Sequence, residues 1–254
     1  MLILVPHPDD EVVGCCAAIG RARAAGARVT ALYLTHGCLD ADTVWPWERA
    51  RQGAMVERRR AEARAAAALL GIEPRGQPDR AARQLWRNLA SAEAEARSAL
   101  AASSADQLWV PAYEGGNPDH DGANAIGRRL ADEGVDVLEF AEYNFAGGRA
   151  RSHSFPEPNG QETVLTLTPA EQAMKRRALG LYASERGNLG YVAVGQECFR
   201  PLSRYDYGAP PHVGPLWYAR FQWVPFRHPG VDFTRPEAVS AAIQAYLGHG
   251  AGAR

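Results

Sequence analysis

The chain has 254 residues, 46% of them apolar, which suits one large α/β domain or two small ones with a substantial core. Lys and Arg number 28 against 29 Asp and Glu, a formal charge of −1, which removes any global electrostatic case for nucleic acid or an anionic membrane as partner. No run approaches the roughly 18 to 20 apolar residues that span a bilayer, and the first residues lack the flanks of a signal peptide, so the expected location is the cytoplasm.

The opening stretch, Met1-Leu2-Ile3-Leu4-Val5, is an apolar strand that runs straight into Pro6-His7-Pro8-Asp9-Asp10-Glu11. In open α/β sheets ligands gather at the C-terminal edge of the strands, which is where this turn lies. Each proline fixes its own φ and biases the residue before it toward extended backbone, so His7, Asp9 and Asp10 are held in a defined array. His and Asp suit a borderline divalent ion such as zinc, and a catalytic zinc has three protein ligands plus water. One partner is missing here. The best source is Asn117-Pro118-Asp119-His120-Asp121-Gly122, the other place where His and Asp crowd a proline.

Residues 11–26 read as a helix with Val12, Val13, Cys16 and Ile19 inward and Gly26 as its stop, and Val29 to Thr35 as a second strand. His36-Gly37-Cys38 opens a loop through Trp45-Pro46-Trp47 on the same rim as His7. Its tryptophans either stack on a sugar ring or plug the core. Residues 48–70 are Ala- and Arg-rich and helical, ending at Gly71, with the run Arg58-Arg59-Arg60 inside. A third strand falls between Pro74 and Pro78, another helix over 81–102, and Leu108-Trp109-Val110-Pro111 is a buried strand that delivers His120 to the edge where His7 lies. A helix from about Gly122 to Gly134 and a strand at Val137 to Phe140 complete a doubly wound portion.

Residues 144–162 read as loop, 163–167 as a strand, and Thr168 as the N-cap of a helix starting at Pro169. From 199 the sequence interleaves aromatics, prolines and arginines, including Pro210-Pro211-His212, and closes with a short helix at 236–247. This extension is expected to wrap the domain as a lid or a homo-oligomer contact. The expectation is a single domain over residues 1–254 with a core to about 198: a Rossmann-like, mostly parallel sheet with helices on both faces. The four cysteines, Cys15, Cys16, Cys38 and Cys198, show no C-x-x-C spacing and read as small buried thiols.

Pro6-His7-Pro8-Asp9-Asp10-Glu11 and Pro118-Asp119-His120 together resemble the two signatures of the PIG-L (LmbE-like) zinc-dependent N-deacetylases. The resemblance extends through Arg59-Arg60-Ala61-Glu62, Leu70-Gly71, Lys175 and Tyr182-Ala183-Ser184. It implies that His7, Asp10 and His120 ligate a metal, zinc or another divalent ion such as ferrous iron, and that Asp9 is the general base. It further implies that Arg59 faces the substrate pocket. Asp119 reads as a carboxylate orienting a ligand ring, and Glu11 as a first-turn acid capping the helix it opens. The sequence departs from the family where Cys16-Ala17 replaces paired glycines and where Asn117 replaces the usual His of the second motif. An amide can donate to an oxyanion but cannot deliver a proton near neutral pH. Either Asp9 shuttles the proton, or His36, His153 or His212 takes that role, or activity is weak.

The function expected is hydrolysis of an N-acetyl group from an amino sugar or sugar conjugate, with Arg59, His36, Trp47 and His212 on the substrate side and no nucleic-acid partner. The runner-up is a metal-binding, non-catalytic sugar-recognition protein, prompted by Asn117. A nucleotide-binding Rossmann protein is weaker, because no G-x-G-x-x-G follows the first strand.

Overall fold

Strand β1 (Leu2–Val5) has no exposed residue, as expected of an uninterrupted apolar run covered on both faces. The computed structural model describes residues 1–76, 78–190 and 192–249; Gln77, in the expected third-strand segment, and residues 250–254 of the C-terminal extension lie outside it. After β1 come α1 (Asp10–Ala24), β2 (Thr30–Tyr33), α2 (Gln52–Leu70), β3 (Glu73–Arg75), α3 (Leu89–Ser103), β4 (Gln107–Pro111), α4 (Pro118–Ala131) and β5 (Asp136–Ala141). The hairpin β6 (Tyr143–Asn144) and β7 (Arg151–Ser152) follows, then β8 (Thr163–Thr166), α5 (Pro169–Leu181), β9 (Gln196–Pro201) and α6 (Pro236–Gly248).

The main sheet has the order β3-β2-β1-β4-β5-β9-β8. The five strands from β3 to β5 are parallel, and β9 and β8 add antiparallel pairings at one side. The expected Rossmann-like, mostly parallel sheet is therefore present. Alternate residues of each strand feed opposite cores. Leu2, Leu4, Leu108 and Val110 pack toward α3, α4 and α6, whereas Ile3, Val5, Tyr33 and Phe140 pack toward α1, α2 and α5. Strand order reverses between β1 and β4, so the crevice beyond their C-terminal ends is the switch point where such sheets bind ligands.

Several elements differ from the sequence reading. The α-helix expected over 81–102 starts only at Leu89: it is preceded by a turn with Arg83 at φ 67° and a short 3-10 helix at Leu85–Arg87, and the backbone N–H groups of Arg83 and Leu85 donate to Asp119 at 2.6 and 2.9 Å. Helix α4 begins at Pro118 rather than Gly122, because proline is well placed in a first turn where its missing N–H has no partner to lose. Strand β9 runs past residue 198 into the stretch read as irregular, and Tyr207, Val239 and Ile243 join the same hydrophobic cluster as Leu2 and Leu4. The C-terminal segment thus contributes to the core itself. The N-cap at Thr168 is present, with Glu171 completing a capping box. The four cysteines are free and buried.

Candidate active site

The turn after β1 and the first turn of α4 meet. His7 Nδ1 lies 3.2 Å from His120 Nε2, and Asp10 Oδ2 lies 3.3 Å from each of those nitrogens. Three donor atoms at mutual distances of this size match the edge of a tetrahedron, roughly 3.3 Å, whose metal–ligand bonds are about 2.0–2.1 Å. All three residues are buried. The acid and the rings are also strongly coupled electrostatically. Burial alone would lower the His7 pKa, yet Asp10 and Asp119 outweigh it and push it up to about 10. Burial likewise opposes ionisation of Asp10, but the rings of His120 and His7 hold it far below the ordinary carboxylate range. The residues present fit a divalent metal.

Asp9 stands beside this trio at φ 127°, a conformation non-glycine residues avoid. Two groups hold it there. Its N–H donates to Glu11 Oε2 at 3.1 Å, and Arg59 reaches over to donate to Asp9 Oδ2 at 3.3 Å and to the Pro8 carbonyl at 2.5 Å. Glu11 is fully buried and accepts from the hydroxyls of Tyr33 and Tyr182, so its carboxylate clamps the turn as well as opening the helix. Arg59 is 1% exposed, whereas its neighbour Arg58 faces solvent. Burial pushes the Asp9 carboxyl well above the ordinary range, Arg59 pulls it back, and Asp10 adds to the rise. A strained, desolvated carboxylate at a ligand edge is a sound place for a proton acceptor.

The second motif has a division of labour. Asn117 is the N-cap of α4: its side-chain oxygen accepts the Asp119 N–H at 2.9 Å, which leaves only the amide NH2 for another partner. Asp119, fully buried, places Oδ2 3.1 Å from His7 Nε2. Asp121 accepts the N–H groups of Glu114 and Gly115 at 3.2 and 3.1 Å, shaping the loop ahead of the helix. Glu114 in turn accepts the N–H groups of Glu142 and Tyr143 at 2.7 and 3.0 Å, tying the end of β5 to that loop. Burial raises the pKa of Glu114 to about 8 and of Asp121 to about 7 despite these donors.

Of the substrate-side residues, Trp47 is 70% exposed and stacks on Trp45 at 5.2 Å and 10°, which rules out the core-plug alternative. His36 is partly buried and lines a cavity with Pro8, Tyr33, Thr35 and Arg60, its Nδ1 accepting from the Cys38 N–H. His212 is buried, with Nδ1 3.0 Å from the Val213 carbonyl and Nε2 without a hydrogen-bond partner. His153 is set aside as a proton carrier: its ring nitrogens lie on the carbonyls of Ala141 and Ala193, and burial lowers its pKa to about 4.

The structure adds residues that sequence reasoning missed. Arg83 holds Asp119 through its backbone and the carbonyls of Pro229 and Val231 through its guanidinium, lashing the C-terminal segment to the acid that meets His7. Tyr143 packs edge-on against His120 at 5.6 Å and in turn against Trp217 at 5.3 Å. His228, from the same segment, meets Trp45 at 5.5 Å. Glu142 follows β5 at the ligand edge, a position that could have marked it in the sequence; Arg83 and Trp217 carried no such signal.

A family model described as GlcNAc-PI de-N-acetylase, PIG-L, matches residues 2–131, just over half of the chain and both halves of the triad. The chain belongs to the PIG-L family. Among solved structures it is similar to a triple mutant of the deacetylase of teicoplanin biosynthesis, at 21% identity and TM-score 0.64, covering 81% of this chain and 98% of that one. It is also similar to the A40926 pseudoaglycone deacetylase Dbv21, at 21% identity and TM-score 0.61, covering 80% of this chain and 97% of that one. The 4-carboxy-2-hydroxymuconate hydratase GalB from Pseudomonas putida KT2440 matches at 18% identity and TM-score 0.51, over 80% of this chain and 96% of that one. At these identities the likeness is one of fold, and a hydratase among the matches shows that this PIG-L fold does not dictate one reaction. No curated protein matches the sequence.

Proposed function

We propose that the protein is a metal-dependent hydrolase that removes the N-acetyl group from an amino sugar or a sugar conjugate. The observation that carries this is the convergence of His7 Nδ1, Asp10 Oδ2 and His120 Nε2 to within 3.3 Å beside the strained carboxylate of Asp9. Membership of a family described as a de-N-acetylase points the same way. His7, Asp10 and His120 would hold the ion, with zinc the reading preferred from the mixed nitrogen and oxygen donors and ferrous iron compatible with them. When bound, such an ion supplies Lewis acidity to an acyl oxygen and acidity to a water.

The chain's own residues do the rest. Asp9 accepts the proton of the attacking water, holds it in a buried setting that favours the neutral acid, and delivers it to the departing amine nitrogen. Arg59 keeps Asp9 aimed. The Asn117 NH2, free of capping duty, is available to the acyl oxygen, and no second titratable group is needed if Asp9 carries the proton both ways. Trp47 and His36, on the loop after β2, and His212, on the C-terminal segment, would line the acceptor side. Exposed aromatic faces suit the apolar face of a sugar ring.

The test is acetate release by the zinc- or iron-loaded protein across a panel of N-acetylglucosamine derivatives. Release is expected for at least one member and should fall a hundredfold or more in Asp9→Asn with the metal retained. Metal and sugar binding without acetate from any member would reject hydrolysis and favour the non-catalytic sugar-recognition reading.

A further inference from the structure

The two histidines use opposite ring nitrogens. His7 turns Nδ1 to the trio and rests Nε2 on Asp119, whereas His120 turns Nε2 to the trio and leaves Nδ1 pointing away. That nitrogen has no hydrogen-bond partner, and the nearest acid to it is Glu142, whose Oε2 lies 4.0 Å away. Neither oxygen of Glu142 meets a hydrogen-bond donor either, although both residues are fully buried. Besides the His120 ring, the charged groups facing the Glu142 carboxyl are acids, Asp10 first and then Glu114 and Asp9, so the imidazole Nδ1–H is the donor within reach of it, and a buried polar pair left without hydrogen bonds is costly.

The surroundings keep the Glu142 carboxylate where it is. The Glu142 N–H is taken by Glu114 Oε1 at 2.7 Å and its carbonyl accepts the His153 N–H at 2.9 Å, so its backbone is pinned on both sides. Helix α1 presents Gly14 to it, and a Cβ there would come within 3.3 Å of Glu142 Cγ and 2.3 Å of the Phe140 ring. The small residue makes room for the acid. The separation of 4.0 Å is about 1 Å longer than a hydrogen bond.

We infer that Glu142 is the positioning residue of His120, accepting its Nδ1–H in the metal-loaded protein and so fixing the tautomer that leaves Nε2 free to ligate. Ligand imidazoles generally donate their other nitrogen to such a group, and losing it weakens metal binding 10–100-fold. The inference rests on the metal-site reading given above. It assigns Glu142 for His120 the part Asp119 has for His7, and makes the metal's hold on α4 depend on the end of β5.

The experiment strips the full-length protein with a chelator and titrates it with Co2+, reading affinity by calorimetry and geometry by visible absorbance. Glu142→Ala is expected to bind Co2+ 10–100-fold more weakly with an altered absorption band. Glu142→Gln, whose amide oxygen still accepts from Nδ1–H without the charge, should fall between. The metal-free Gln variant should melt close to the wild-type temperature, because the amide matches the carboxyl in size and shape. Wild-type affinity and spectrum in both variants would overturn the inference, as would a destabilised Gln variant with unchanged affinity, the pattern of a merely structural acid. Failure of Co2+ to bind the unmodified protein would also overturn it. Since no substrate is involved, failure of the deacetylation reading would appear separately, as absent acetate release from a protein whose metal affinity still responds to Glu142.

Discussion

Asp119 Oδ2 lies 3.1 Å from His7 Nε2, on the ring edge opposite the one that meets Asp10 and His120. The same carboxylate takes the N–H groups of Arg83 and Leu85, so one buried acid holds the His7 ring and closes the turn before α3. Asp119→Ala should therefore weaken metal binding 10–100-fold. Leaving two buried donors unsatisfied should also cost about 2–4 kcal/mol of stability. Asp119→Asn should retain more of both. Calorimetric metal titration and urea unfolding of the metal-free protein measure the two effects separately; full metal affinity in Asp119→Ala would contradict the orienting role.

Arg59 is held by the Pro8 carbonyl, Asp9, Ser184 and Glu185 at once, which only a forked guanidinium can satisfy. Arg59→Lys is expected to keep the metal but lower kcat by tenfold or more, since Asp9 would lose its aim while the ligand trio stays intact. Steady-state kinetics beside metal analysis checks this; unchanged kcat would remove Arg59 from the mechanism.

Asn117 caps α4, so replacing it acts on stability before chemistry. Asn117→Ala should cost about 1 kcal/mol, or roughly 2–4 °C in Tm for a domain of this size. Asn117→His should show a comparable loss of stability together with turnover that is unchanged or raised. A drop of tenfold or more in kcat would show that the amide has a catalytic part of its own.

His153 is buried on two backbone carbonyls, and desolvation, reinforced by Lys175, lowers its pKa to about 4, against about 6.5 in an unfolded chain. As pH falls through 6.5 the unfolded state takes up this proton first. The histidine's contribution is complete above pH 6.5 and is lost progressively toward pH 4, on the order of 3 kcal/mol in all. Urea midpoints of the wild type and His153→Gln, compared at pH 7 and pH 4.5, should converge at the lower pH. A constant difference across that range would refute the assignment.

Much of this was legible in the sequence because the site lies where local rules and tertiary structure agree. An apolar run ending in Pro6-His7-Pro8-Asp9-Asp10 could be placed at a sheet edge from hydrophobicity and proline geometry alone, and the second half of the trio followed from the same rule. The failures came where a side chain overrides propensity. Residues 83–88 are helix-prone in composition, yet Asp119 takes the N–H groups of Arg83 and Leu85, and the stretch forms only a short 3-10 helix at Leu85–Arg87 before α3. Asn117 reads from the sequence only as a substituted catalytic group, and its part as the N-cap of α4 becomes visible in the structure. Arg83 gained its importance only from contacts far apart in sequence, which no spacing encodes.

Strand β1 pairs Leu2 with Thr30 on one flank and with Leu108 on the other. The first pairing closes a short loop and the second a very long one, and chain closure of that length is slow compared with forming helices. Refolding of the stripped chain should thus regain its far-ultraviolet dichroism early and its capacity to take up Co2+ late, since His120 reaches His7 only after β4 has docked. Cation uptake would then serve as a clock for the last long-range event in assembly.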